Sequence, residues 1–228
     1  MIWWSFITAL GGLSVTGSLS VAIAGWLAMA HCRVRALYWC LLFGAAMLIV
    51  IASKLAFIGW GIGLMSVDFA GFSGHAARAG AVLPVAAYLI ARRYTRAQRA
   101  VAVAAAVLLA ILISYSRVVV TAHSPSEAVL GCGLGLLTAA LFIALVRTPR
   151  DYAPPPVLIG LTVAVMLASS LAEPRLAPAF DSQQFMTALA LNLSGHDRPY
   201  QRWDWKPSQS PYVPPCSSER VHFAYVCV

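Results

Sequence analysis

Charged residues are scarce in this 228-residue chain, at 11% against 60% hydrophobic, and that scarcity excludes a soluble domain of ordinary composition. Strict alternation of apolar and polar residues is also missing, which argues against the strands of a membrane barrel. No repeat of solenoid length is present. Met1 to Ala30 lacks the positively charged start of a secretory signal, and Ala28, Met29 and Ala30 make only a weak cleavage lookalike, so the segment reads as a retained first span. What is abundant is long apolar sequence. Runs able to cross roughly 30 Å of hydrocarbon as helices fall at about residues 10–30, 36–58, 74–91, 100–115, 126–146 and 156–172, the fourth being short. The expected fold is an all-α integral membrane protein, a bundle of about six transmembrane helices among bilayer lipids.

The formal charge of +8 does not indicate a nucleic-acid partner once its placement is considered. Arg33 and Arg35 lie between spans one and two. Arg92, Arg93, Arg96 and Arg99 lie between three and four, and Arg147 and Arg150 between five and six. All three connections fall on one side, which the positive-inside rule makes cytoplasmic. Lys54, the Ser73 to His75 cluster and the Ser116 to Glu127 stretch then face the other way. Trp3 and Trp4 suit a headgroup-level anchor or ordinary lipid-facing packing.

After Glu173 and Pro174 the chain becomes a Pro-, Ser- and Trp-rich tail. The division expected is a transmembrane domain at 1–172 and an extracytoplasmic, partly irregular tail at 173–228. Residues 180–193 read as a short amphipathic helix lying on the membrane, and 197–217 as extended or irregular. Cys216 and Cys227 are placed to pair in an oxidising compartment, whereas Cys32, Cys40 and Cys132 read as small buried hydrophobes.

His123 stands directly before Ser124, Pro125, Ser126 and Glu127, a pattern of N-cap, first-turn proline and capping-box acid. A helix starting there presents unpaired amides and a partial positive charge to an anion. Arg117 adds a planar fork suited to phosphate oxygens. Ser73, Gly74 and His75 repeat the arrangement: a serine cap, a glycine for close approach, and a histidine entering an apolar run. Taken singly, each residue has a plainer reading. A histidine at an interface is commonly structural, Glu127 can be a cap alone, Lys54 can snorkel to the headgroups, and Arg78 can be an interior ion-pair partner. Jointly the plain readings weaken, because ionisable groups cost roughly 2.5–3.5 kcal/mol each at a helix centre. Lys54, His75, Arg78, Arg117, His123 and Glu127 nonetheless gather at one face, which implies a polar cavity with a purpose.

Ser116-Arg117, five residues, His123, three residues and an acid resembles the third signature of the type 2 phosphatidic acid phosphatase superfamily. Phe72-Ser73-Gly74-His75 is similar to its second, Pro-Ser-Gly-His. Its first, a lysine followed after six residues by Arg-Pro, is matched by Lys54, but Gly61 and Ile62 stand in place of Arg-Pro. The likeness is close over residues 50–146. It implies a lipid phosphate substrate and a phosphohistidine formed on His123, with Glu127 orienting the ring where the family usually has Asp and His75 protonating the leaving group. It further implies that Lys54, Ser73, Gly74, Ser116 and Arg117 hold the phosphoryl oxygens, with Arg78 a candidate replacement for the missing arginine, and that neither metal nor other cofactor takes part. In bacteria the family commonly recycles the undecaprenyl carrier, which makes a polyprenyl diphosphate at the periplasmic face of the inner membrane the first expectation. Phosphatidylglycerophosphate, phosphatidic acid and the phosphate of lipid A are open, and so are a phosphotransferase, a transporter and a non-catalytic lipid-binding protein.

Overall fold

The computed structural model describes residues 2–30, 32–145, 154–176 and 182–205. Eight helices are formed there: α1 Ile2–Ala9, α2 Leu13–Met29, α3 Arg33–Trp60, α4 Gly74–Ile90, α5 Arg96–Val119, α6 Pro125–Leu145, α7 Pro156–Leu176 and α8 Ser182–Ser194. Five stretches are long and apolar enough to cross a membrane, with a shorter apolar helix at Pro156–Ala168, so the chain is an all-helical, multi-pass membrane bundle. Arg147, Arg150, Cys216 and Cys227 lie outside the described residues. Of the remaining cysteines, Cys132 is buried as expected while Cys40 is exposed on the flank of its helix.

Two spans differ from their expected form. The first is broken at Gly11 and Gly12, so that α1 is a separate short helix packed against α5, where Trp4 meets Tyr115 edge-on at 5.6 Å between ring centroids. The fourth is not short. A reciprocal capping box between Thr95 and Gln98 starts α5 at Arg96, and it runs 24 residues, carrying Ser116 and Arg117 in its last turns.

α4 is the centre of the bundle, packed against α5 on one side and α6 on the other. Small residues bring it there. Gly131 and Gly135, one turn apart on α6, face α4 so closely that a Cβ on Gly131 would stand 2.7 Å from the Ser73 carbonyl oxygen, and one on Gly135 would overlap that of Ala77. Gly80 answers from α4, where a Cβ would stand 2.9 Å from the Cys132 carbonyl. Ala76, Ala77 and Ala81 are fully buried in the same seam, while Ala79 is buried against Ala110 and Ile113 of α5. The larger apolar core, with Ile23, Leu27, Trp39, Val82, Leu89 and Phe142, lies further along the helices toward the arginine-bearing ends. Trp39 fits inside it because its indole N–H donates to the Ser20 carbonyl at 3.0 Å.

Residues 182–205 pack against this bundle. α8 packs on α3, with Ala190 fully buried and the Ala190 carbonyl close over Gly59, so this helix lies on protein. Residues 196–205 cross the end of α3 and finish in a single helical turn at Arg202–Trp205; of the stretch 197–217 expected to be extended or irregular, the part beyond 205 lies outside the described residues. The seat is a run of three glycines. A Cβ would approach Ser194 to 3.3 Å from Gly59, the Tyr200 ring to 2.8 Å from Gly61 and the Trp205 ring to 2.6 Å from Gly63. Carbonyl groups at a helix C-terminus have no partner within the helix, and the segment supplies donors for them. The Tyr200 amide reaches the Ile58 carbonyl at 2.9 Å, and His196 Nδ1 lies 2.7 Å from that of Gly59. The Trp205 indole reaches the Gly61 carbonyl at 3.4 Å.

Candidate active site

The residues singled out in the sequence come from separate elements, and backbone turns aim them at one place. α5 ends in a turn in which the amides of Thr121 and Ala122 return to the carbonyls of Val118 and Arg117, both at 3.0 Å, with Thr121 at φ 58° where glycine is the usual occupant. The His123 amide also reaches the Arg117 carbonyl, at 3.2 Å. This turn fixes the spacing between Arg117 and His123, since one backbone oxygen gathers the chain at both ends of the intervening loop.

α6 then starts as the sequence pattern requires. The Ser124 hydroxyl accepts the Glu127 amide at 3.4 Å, and Glu127 Oε2 accepts the Ser124 amide at 3.2 Å. The same Oε2 lies 2.8 Å from His123 Nδ1, so Glu127 both caps the helix and holds the imidazole. Its other oxygen takes the Ala70 amide at 2.9 Å and Arg202 Nη2 at 2.7 Å. The carboxylate is only 3% exposed and the imidazole 16%.

Around His123 opens a cavity of about 740 Å³ whose wall includes Lys54, Gly74, His75, Arg78, Arg117 and Glu127. His75, in the first turn of α4, and His123, in the turn between α5 and α6, therefore share one hollow. Lys54 reaches it because Gly71, at φ 138°, lets the loop pass close over the α3 backbone; a Cβ there would come within 3.3 Å of the Lys54 amide nitrogen. The Arg78 guanidinium is braced by Thr16 Oγ1 at 3.1 Å and the Gly11 carbonyl at 3.3 Å. Arg117 contacts Thr8 Oγ1 at 3.4 Å, and its Nε is buried with no partner among the described residues. Lys54, Arg78, Arg117 and Arg202 against Glu127 give the lining an excess of positive charge, which suits an anionic group.

Two expected phosphate ligands are placed elsewhere. Ser116 is fully buried, and its hydroxyl bonds the Ile113 carbonyl at 2.6 Å and Thr8 Oγ1 at 2.8 Å, which ties α1 to α5 behind Arg117. Ser73 occupies the N-cap position of α4 but makes no side-chain cap, and its buried hydroxyl has no partner among the described residues. Its backbone amide instead donates to the Glu127 carbonyl at 3.1 Å, clamping the two motif-bearing helix starts together. At Gly61 there is no room for the arginine of the family's first signature, because the Tyr200 ring occupies that space.

Arg202, Thr8 and the neighbouring Tyr200 escaped the sequence reading. Their connections span 75 to 139 positions of chain and carry no local pattern. The only signal was compositional: Gly59, Gly61 and Gly63 alternate where a transmembrane helix stops. Among the described residues, no set of three or more His, Cys, Asp or Glu is arranged to hold a metal ion.

Residues 61–151 match the model of the PAP2 superfamily, a stretch that contains both histidine motifs and begins seven positions after Lys54. The chain is 37% identical over 175 residues to a Klebsiella pneumoniae protein described as an uncharacterized 22.5 kDa protein in the cps region, covering 75% of this chain and 82% of that one. No solved structure matches the chain. Superfamily members are typically metal-independent phosphatases, and membership implies an activity of the lipid phosphate phosphatase type. With two histidine motifs that meet over one cationic cavity inside the matched stretch, the chain belongs to the PAP2 superfamily.

Proposed function

We propose that this protein is a lipid phosphate or diphosphate phosphatase that works through a phosphohistidine on His123, with a polyprenyl diphosphate such as undecaprenyl diphosphate as its first candidate substrate. The observation that carries the reading is the 2.8 Å contact between His123 Nδ1 and Glu127 Oε2. A carboxylate on that nitrogen holds its proton there, which leaves the Nε2 lone pair available to attack. Nε2 forms a bond to phosphorus as the bond to the leaving oxygen breaks. His75 gives that oxygen its proton. In the second half a water hands its proton to His75 and attacks the phosphorus, the P–N bond breaks, and free phosphate leaves with His123 and His75 restored.

Lys54, Arg78 and Arg117 surround this path and are suited to neutralise charge spreading over the equatorial oxygens, the chief protein contribution to phosphoryl transfer. The Gly74 amide sits at the start of α4, where an anion gains from the unpaired N–H groups. Ser73 and Ser116 act from behind, through the backbone clamp and the tie to Thr8. The positive-inside rule favours the cytoplasm for the arginine-bearing starts of α3 and α5, and with that orientation Lys54, about 30 Å along α3 from Arg33, opens to the outer leaflet. The cavity in this reading takes the head of a lipid whose tail remains in the bilayer, at the periplasmic side of the inner membrane. A transporter would instead need polar groups along a route through the bundle, whereas these cluster at one end.

The deciding experiment is phosphate release by purified protein from a panel of lipid monophosphates and diphosphates, with His123→Ala as control. Turnover of one class that vanishes in the variant supports the reading. Equal release by both proteins, or none from any lipid, sinks it.

A further inference from the structure

Glu127 holds four donors at once, and they differ in origin. His123 and the amides of Ser124 and Ala70 come from the membrane bundle and its 61–72 loop. The fourth, Arg202, comes from the C-terminal segment that crosses the glycine seat of α3. Its guanidinium is fixed on both sides, with Nη2 2.7 Å from Glu127 Oε1 and Nη1 2.6 Å from Asp68 Oδ2. Asp68 is itself held in place by the tight turn in which Leu64 and Phe69 exchange backbone hydrogen bonds at 2.9 and 3.0 Å.

The charge balance shows why this contact matters. A carboxylate removed from water needs a compensating charge, and a histidine ready to attack is neutral and brings none. Lys54, Arg78 and Arg117 line the hollow where a phosphate would take their charge. Arg202 is the cation in ion-pair contact with the carboxylate itself, and Pro199 to Trp203 form part of the wall around it.

We propose that Arg202 is a positioning residue for phosphoryl transfer: carried in by the docked 196–205 segment, it anchors Glu127 against His123, so the site is complete only when that segment is seated. The inference rests on the phosphatase reading and adds to it a residue outside the matched stretch. Without the guanidinium, Glu127 directs its whole charge at His123, which also faces the cations Arg78 from α4, Arg117 from α5 and Lys54 from α3 and the titratable His75 from α4. Asp68, across the turn, is ion-paired only with Arg202 among the described residues.

The test compares full-length wild type, His123→Ala, Arg202→Ala and Arg202→Lys on dioctanoyl phosphatidic acid and a short-chain polyprenyl diphosphate. Arg202→Ala is expected to lower kcat about 10- to 100-fold, the size generally seen when a group supporting a reactive residue from behind is lost, with KM changed less than about threefold. Its acid limb of activity should move to higher pH. Arg202→Lys should keep that limb near its wild-type position, and millimolar guanidinium should return part of the Arg202→Ala activity. If Arg202→Ala keeps wild-type kcat, the inference falls. It falls equally if kcat is lost without relief by guanidinium and with the pH limb unmoved, because that pattern marks a purely structural strut. Wild-type turnover that disappears in His123→Ala preserves the phosphatase reading whatever Arg202 does, whereas an inactive wild type removes both.

Discussion

Glu127 Oε2 lies 2.8 Å from His123 Nδ1 and 3.2 Å from the Ser124 amide, so one oxygen both starts α6 and steers the imidazole. Helix capping and catalytic geometry are consequently inseparable at this position. Glu127→Gln keeps the length but turns an amide group toward donors. It is expected to lower kcat at least about 100-fold, as loss of the group that sets a histidine tautomer does in hydrolases. It should also cost on the order of 3 kcal/mol, because a buried ion pair is broken. Phosphate release and thermal unfolding in detergent check the two effects separately.

Loss of His123 should remove the covalent intermediate altogether. Brief exposure to substrate labelled in the phosphate, followed by alkaline quenching, should leave acid-labile label on wild-type protein and none on His123→Ala. Incubation with a strong chelator should leave wild-type turnover within about twofold of its starting rate, since the scheme requires no metal-activated water.

Activity should rise and then fall with pH. Attack needs His123 without its second proton, so the rate increases as that proton leaves. Departure of the product needs His75 with its proton, so the rate decreases as that one leaves. In His75→Ala the alkaline fall should be lost together with about 100-fold or more of the rate. A profile that keeps its alkaline limb in that variant would assign the acid to another group.

The α4–α6 seam gives a stability prediction independent of chemistry. Gly135→Leu has no room, because even a Cβ overlaps the Ala77 carbonyl, and the backbone clamp from Ser73 to Glu127 lies about two turns back along α6. Overpacking of this kind costs about 1–3 kcal/mol or more. The variant should unfold at lower temperature and lose turnover in step. Gly133→Leu, where a Cβ meets nothing within 4 Å, should do neither.

Orientation is checked with an exposed position in the docked segment. Arg198 is 84% exposed, and Arg198→Cys should react with a membrane-impermeant maleimide from the periplasmic side of spheroplasts. Reaction only after the membrane is opened would reverse the assignment.

Local rules carried much of the site into view. Ser124, Pro125 and Glu127 announce a helix start within four positions, and the bonds found are those the pattern demands. Lys54, Arg78 and Arg117 were marked by the cost of placing charge in apolar runs, and all three line the cavity. Ser73 and Ser116 do not line the cavity, and residue type could not reveal that, since the Ser116 hydroxyl turns back to the Ile113 carbonyl and the Ser73 hydroxyl is buried beside the α4–α6 seam. Arg202 was invisible for a different reason. Its partner lies 75 positions away, joined through packing of Tyr200 and Trp205 over glycines that, in sequence, look like a simple helix stop. The break at Gly11 and Gly12 was hidden because α1 and α2 are equally apolar, so hydropathy reads straight across it.

The glycine seat on α3 has a consequence for how the molecule matures. A ribosome that has reached residue 176 has already made every helix carrying a motif, yet the hollow still lacks one side and Glu127 its arginine. With Arg202 in its proposed positioning role, competence waits until residues 196–205 have emerged. A nascent or prematurely terminated chain would sit in the bilayer correctly wound but silent.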